Sequence, residues 1–104
     1  MVEVEIWYYV ESESRTVRFS RKVNISSVPF IGSEIEVKND HITISRVIFQ
    51  DGGGIVCIAD NDQGEIERVW PDSEIEGVIE DMKDIGWTLL NNVKKHHKKK
   101  QTLN

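Results

Sequence analysis

The sequence predicts a small, mainly β domain (a β-rich α+β class) with one amphipathic helix near its C-terminus. Three observations lead to this fold class. Apolar and polar residues alternate through several segments of residues 2–70, with the period of two that is typical of strands. Over residues 75–85 the period changes to that of an α-helix. The chain has 104 residues, of which 38% are hydrophobic, and this suits one folded domain better than a disordered chain.

Six strands are predicted, and turn residues separate them. They cover residues 2–11, 15–23, 33–38, 41–50, 55–59 and 65–70. The strand over 41–50 changes phase, because Ile42 and Ile44 share one parity whereas Val47 and Phe49 share the other. A β-bulge near residues 45–46 is expected to return both pairs to the core face.

The first two strands are predicted to form a hairpin in which the numbers of paired residues sum to 25. In that register Ile6 lies opposite Phe19 on an apolar face. On the other face Trp7 lies opposite Arg18, with Tyr9 beside them. This second face suits stacking of bases, anchoring of a partner protein or an internal cation–π pair, unless another element covers it as a second core layer.

The helix is predicted over residues 74–85. Its apolar stripe consists of Ile75, Val78, Ile79, Met82 and Ile85. Ser73 and Glu76 have the spacing of a capping box, and Gly86 suits the C′ position with Trp87 packing back on the last turn. Residues 87–93 fit either a short final strand or a second helix.

These elements favour a five- to six-stranded antiparallel sheet, arranged as an SH3-like or otherwise partly open small barrel closed by the C-terminal helix. A flat sheet with the helix across one face is the alternative, since periodicity does not separate the two. Residues 1–93 form the predicted domain, and residues 94–104, with five lysines and no acidic residue, form a flexible basic tail.

Charge is unevenly distributed along the chain. The net charge is −5, yet residues 51–93 carry eleven acidic and two basic side chains. Such a surface attracts a basic partner or imitates nucleic acid. The candidate acidic surface consists of Asp60, Asp62, Glu65, Glu67, Glu74, Glu80, Asp81 and Asp84.

No catalytic, cofactor or metal site is predicted. Cys57 lies in an apolar strand and is expected to be a buried, inert thiol, and His41 lies in a turn. Residues 60–65 resemble a calcium loop only weakly, because the glycine and glutamate that the loop requires are missing. The glycine run 52–54 precedes a strand rather than a helix, so a hairpin turn is expected instead of a phosphate loop.

Three functions remain open at this stage. The first is a non-enzymatic protein-interaction module that docks an unknown protein through the acidic surface or through Trp7, Tyr9 and Arg18. The second is a nucleic-acid-binding barrel that uses those three residues and the lysine tail. The third is a small-molecule binder or enzyme with a pocket between barrel and helix. We expect a cytoplasmic monomer or weak homodimer, since no signal-peptide pattern and no membrane-length apolar run occur.

Overall fold

The computed structural model describes residues 1–38, 40–60, 62–63, 66–67 and 69–95, with the backbone alone for residues 40, 60, 62, 63, 66 and 67. The strands are β1 (Val2–Ser12), β2 (Arg15–Ile25), β3 (Glu34–Val37), β4 (Asp40–Phe49), β5 (Ile55–Asp60), β6 (Asp62–Gln63), β7 (Ile66–Glu67), β8 (Val69–Trp70) and β9 (Thr88–Lys94). One helix, α1 (Ile75–Asp84), precedes β9 in the described part of the chain. The chain is therefore mainly β.

Seven strands form one mixed sheet in the order β3-β4-β5-β1-β2-β9, with β8 paired to the end of β1. The predicted all-antiparallel barrel is wrong. The strands β1 and β5 run parallel, and the edge strands β3 and β9 do not pair with each other in the described residues. After α1 the chain returns as β9 on the far side of β2, which extends the sheet at the edge opposite β3.

One face of the sheet packs against α1 and forms the core. The even-numbered residues of β1 and the odd-numbered residues of β2 point to this side. Ile75 and Ile79 of α1 belong to the same buried cluster and are 2% and 3% exposed. Trp87 joins them, and its ring lies 5.5 Å from that of Tyr8. The predicted apolar stripe thus contacts the sheet as expected of an amphipathic helix.

The β1–β2 hairpin has the predicted faces but a different register. Paired residues sum to 27, so that Tyr8 lies opposite Phe19 and Tyr9 opposite Arg18. The turn, residues 13–14, is held from outside the hairpin, because Glu13 N donates to Trp70 O at 3.0 Å. This contact spans the sequence and carries no local signal. A shift of two residues keeps every side chain on its predicted face.

Two local predictions about β4 and the turn after it are confirmed. The register between β4 and β5 shifts between Ile44 and Arg46, where the bulge was expected. The following turn contains Gly52 and Gly53, with φ angles of 99° and 105°, and it joins an antiparallel pair. Side-chain-bearing residues rarely adopt such angles, which accounts for the glycines.

The ends of α1 differ in how well the sequence predicts them. The capping box is wrong: the N-cap is Glu74, and it makes no side-chain hydrogen bond to the helix. The C-terminal end is confirmed as a Schellman motif, in which Gly86 N donates to Lys83 O and Trp87 N to Met82 O, both at 3.0 Å. Gly86 has a φ of 105°.

The ambiguity over residues 87–93 is settled as a strand, since β9 pairs antiparallel with β2. Two residues assigned to the basic tail are held by the sheet. Lys94 ends β9, and Lys95 N donates to Ser14 O at 2.7 Å. The rest of the tail, residues 96–104, lies outside the described residues. None of the described helices is long and apolar enough to cross a membrane.

Candidate functional site

The sheet face opposite α1 carries the aromatic face, which consists of Trp7, Tyr9 and Arg18. Because strand side chains alternate, the burial of Val4 and Ile6 in the core directs the odd-numbered residues of β1 to the other side. Arg18 comes from β2 and is the cross-strand partner of Tyr9. All three side chains are half-buried.

The guanidinium group of Arg18 lies over both aromatic rings. Its central carbon is 4.6 Å from the centroid of Trp7 and 6.0 Å from that of Tyr9. Arg18 Nη1 also donates to Tyr9 Oη at 3.4 Å. The predicted pairing of Trp7 directly opposite Arg18 is wrong, since Ser20 lies opposite Trp7. The cation–π contact nevertheless forms on the diagonal, and such contacts stabilise by about 0.5–2 kcal/mol.

Glu5 fixes the orientation of the Trp7 ring. Trp7 Nε1 donates to Glu5 Oε2 at 3.0 Å, and Glu5 faces Lys22 across the hairpin. Arg18 Nε is buried and is the one such side-chain atom without a hydrogen-bond partner in the described residues. The three side chains therefore form one cluster, in which Arg18 contacts both rings and Glu5 holds the indole N–H of Trp7.

Apolar side chains of β5 extend the aromatic face towards the sheet centre. The parallel register places Val56 beside Glu5 and Ile58 beside Trp7. Val56 is 1% exposed although it belongs to this face and not to the core cluster below α1. The uninterrupted apolar run of β5 is thus explained by burial on both faces, as the sequence predicts.

Charges around the aromatic face are nearly balanced. Glu5 is matched by Lys22 as its cross-strand partner. Glu11 is matched by Lys95, with 2.8 Å between Oε1 and Nζ. Arg46 lies exposed on the neighbouring strand as the partner of Ile58. Arg18 and Arg46 leave the described residues of this face with only a small positive surplus, less than a surface that binds a polyanion usually carries.

The structure shows the acidic surface only in part. Four of its members, Glu74, Glu80, Asp81 and Asp84, are exposed on or next to α1. The other four, Asp60, Asp62, Glu65 and Glu67, have side chains outside the described residues. The exposed acids are ordinary helix-surface groups, and Glu80 lies 3.9 Å from Lys83.

A cluster that the sequence analysis missed ties the tip of the β1–β2 hairpin to the segment before α1. Ser14 N donates to Asp72 Oδ1 at 3.1 Å, and Asp72 N donates to Glu13 Oε1 at 3.1 Å. Hydrogen bonds from the hydroxyls of Ser12 and Ser14 and from Ser14 N hold the pKa of Asp72 below its usual value. No local pattern marks a contact across 58 residues.

Cysteine, histidine and carboxylate side chains, which bind metals or act as catalysts in other proteins, do not form a cluster of that kind in the described part of the chain. Cys57 is buried, and burial raises the pKa of its thiol, which agrees with an inert cysteine. His41 is exposed, with Nδ1 3.4 Å from Glu34 Oε1. No group of three or more metal-ligating side chains occurs among the described residues. The weak calcium-loop candidate, 60–65, lies largely outside them.

Comparison with models of protein families, with curated proteins and with solved structures finds no match to this chain. The function is therefore inferred from the chemistry of its surfaces.

Proposed function

We propose that the protein is a non-enzymatic interaction module that docks a partner protein through the aromatic face. The observation that carries this proposal is the half-buried cluster of Trp7, Tyr9 and Arg18 on the sheet face opposite α1. Tryptophan, tyrosine and arginine are the residues most enriched where binding energy concentrates in protein interfaces.

Two further features support a protein partner. The rings and guanidinium group are already stacked, so little side-chain entropy is lost when a partner packs on them. The acids near the face are matched by bases, as with Glu11 and Lys95. A nucleic acid partner requires a surplus of positive charge, whereas residues 51–93 carry eleven acids and two bases.

The acidic surface is the second docking surface that the sequence suggested. Its exposed members on α1 favour a basic partner by long-range attraction, which affects association rate more than affinity. A cytoplasmic location remains part of the proposal, based on the sequence. Two clefts in the described part of the chain, one beside β3 and one beside the turn at residues 50–54, have no residue of α1 in their lining.

The proposal is tested by identifying proteins that co-purify with the full chain and by titrating each purified candidate directly. Trp7→Ala is expected to weaken binding by about 30-fold, the effect of removing a dominant interface residue. The matched control reverses charges on α1, Glu80→Lys with Asp81→Lys. This control is expected to leave the equilibrium affinity within about threefold, since exposed rim charges contribute little.

Two outcomes would reject the docking of a partner protein on the aromatic face. Retained affinity in Trp7→Ala together with loss in the charge-reversed control assigns binding to the acidic surface. Binding of a single-stranded oligonucleotide that falls steeply with salt and with Trp7→Ala assigns the face to nucleic acid. Unfolding curves of each variant verify that a lost interaction does not reflect a lost fold.

A further inference from the structure

A cleft lies between the β3 edge of the sheet and the loop that joins β2 to β3. Its volume is about 440 Å³, within the range of sites that accept organic ligands and peptide side chains. Apolar side chains line much of it: Met1, Ile25, Val28, Phe30 and Ile35. Phe30 is 72% exposed and Val28 is 39% exposed, which leaves apolar surface uncovered at the mouth of the cleft.

The strand beside this cleft has an unpaired edge. In the described residues β3 pairs with β4 alone. Ile44 N donates to Ser33 O at 2.8 Å, so the alternation of an antiparallel ladder turns Ser33 O and the backbone groups of Ile35 towards β4. The N–H and C=O groups of Glu34 and Glu36 then point away from the sheet. Such an edge accepts a further strand from another chain.

The side chains of β3 determine what that strand must contain. Ile35 is 8% exposed and faces the core side, where it lines the cleft. Glu34 and Glu36 also border the cleft, but their exposed side chains alternate with that of Ile35 along the strand, and Glu34 already lies 3.4 Å from the exposed His41. A strand added to the edge shares these two sides, so alternate residues enter the cleft and the residues between them lie beside the two carboxylates.

We propose that the β3 edge and its cleft bind an extended segment of a partner protein in which apolar and basic residues alternate. The apolar residues occupy the cleft next to Ile35 and Phe30, and the basic residues pair with Glu34 and Glu36. This surface is separate from the aromatic face, so the inference does not depend on the function proposed above.

A second copy of the chain fits this edge less well than a basic segment does. In an antiparallel pair of β3 strands centred on Ile35, Glu34 of each copy lies opposite Glu36 of the other. Like charges in directly opposed positions destabilise a sheet, whereas opposite charges stabilise it. The same carboxylates disfavour a nucleic acid strand.

The test uses the full chain and two blocked peptides of identical composition. One alternates, Lys-Val-Lys-Ile-Lys-Val-Lys, and the other places its four lysines before its three apolar residues. Amide NMR shifts of the labelled protein are followed during each titration. The alternating peptide is expected to shift the amides of Phe30, Glu34 and Glu36 and to leave those of Trp7 and Tyr9 unchanged.

Charge variants separate a local contact from general attraction. Glu34→Lys with Glu36→Lys is expected to weaken peptide binding by about tenfold, since each substitution replaces an attractive cross-strand pair by a repulsive one. Glu80→Lys with Asp81→Lys changes the net charge equally at residues that do not line the cleft, and is expected to change affinity by less than about twofold. Phe30→Ser, at a mostly exposed position, is expected to weaken binding without unfolding the chain.

Several results would overturn the inference. These are equal binding of both peptides, equal loss in the two charge variants, or peptide-induced shifts confined to the aromatic face. Shifts of the β3 amides that depend on protein concentration in the absence of peptide would assign the edge to a second copy. The inference would also be rejected if the alternating peptide did not bind at millimolar concentration. The loss of partner binding in Trp7→Ala is measured in a separate experiment, so the two proposals fail separately.

Discussion

The C-terminal end of α1 makes one stability prediction that can be worked out from the structure. Gly86 has a φ of 105°, and a Cβ atom there would lie 2.7 Å from Arg21 Nη1 and 3.1 Å from Arg21 Cζ. Arg21 Nη1 is itself fixed, because it donates to Ile85 O at 2.6 Å. Gly86→Ala therefore combines an unfavourable backbone angle with displacement of a hydrogen-bonded guanidinium group.

The expected magnitude has two parts. A positive φ at an alanine costs about 1–2 kcal/mol. Loss of the charge-assisted hydrogen bond from half-buried Arg21 costs about 1–2 kcal/mol more. Gly86→Ala should then lower the free energy of unfolding by about 2–4 kcal/mol, and the melting temperature by about 10–20 °C for a domain of this size.

Gly77 supplies a matched control in the same helix. It lies inside α1, is exposed, and a Cβ atom there meets nothing within 4 Å. Gly77→Ala should raise stability by about 0.5–1 kcal/mol, because alanine is the better helix former. The same glycine-to-alanine change is thus expected to have opposite signs at the two positions.

The assay is urea unfolding followed by circular dichroism and by tryptophan fluorescence, which reports on Trp87 at 5% exposure. In an Arg21→Ala background, the cost of Gly86→Ala should fall to its backbone part of about 1–2 kcal/mol. A Gly86→Ala chain within about 0.5 kcal/mol of the original would refute the reasoning. An unchanged cost in the Arg21→Ala background would refute the steric part alone.

Three other predictions concern single side chains. Ile79→Asp places a carboxylate at a position that is 3% exposed, and it should lower stability by at least about 4 kcal/mol. A cooperative melt at an unchanged temperature would remove α1 from the core. Because the pKa of Asp72 is lowered in the folded chain, its contribution is present above its ordinary value of 3.8 and is lost as pH falls through the folded pKa. The stability difference between the original chain and Asp72→Asn should therefore be constant near neutral pH and shrink in acid, and a difference unchanged down to pH 2 would contradict this. The thiol of Cys57 should react with a thiol reagent only on unfolding, and reaction of the native chain within seconds would contradict its burial.

Sequence patterns predict correctly those features of this fold that depend on a few neighbouring residues of one strand, helix or turn. The alternation in β1 assigns Ile6 and Trp7 to opposite faces, and the change of phase in β4 locates the bulge between Ile44 and Arg46. The glycine after α1 predicts the Schellman motif at Gly86. Each of these features follows from side-chain period or from backbone freedom over a few residues.

The remaining features depend on contacts between distant segments. The alternation of residues in β1 does not predict that its second neighbour in the sheet is the parallel strand β5. The turn of the hairpin is held by the hydrogen bond from Glu13 N to Trp70 O, which no local pattern contains. The candidate site survives both errors, because a shift of two residues leaves Trp7 and Arg18 on one face and within cation–π distance.

The parallel pairing of β1 with β5 has a consequence for how the chain reaches its fold. The β1–β2 hairpin closes over a short turn, but Ile6 must find Cys57 about fifty residues away before the sheet has its centre. Contacts of such sequence separation slow the search, so refolding should take milliseconds to seconds, as it does in domains dominated by non-local strand pairs. Until β5 pairs with β1, the free edge of β1 can pair with strands of other molecules. The edge most exposed to aggregation during folding is therefore the one that lies in the middle of the folded sheet.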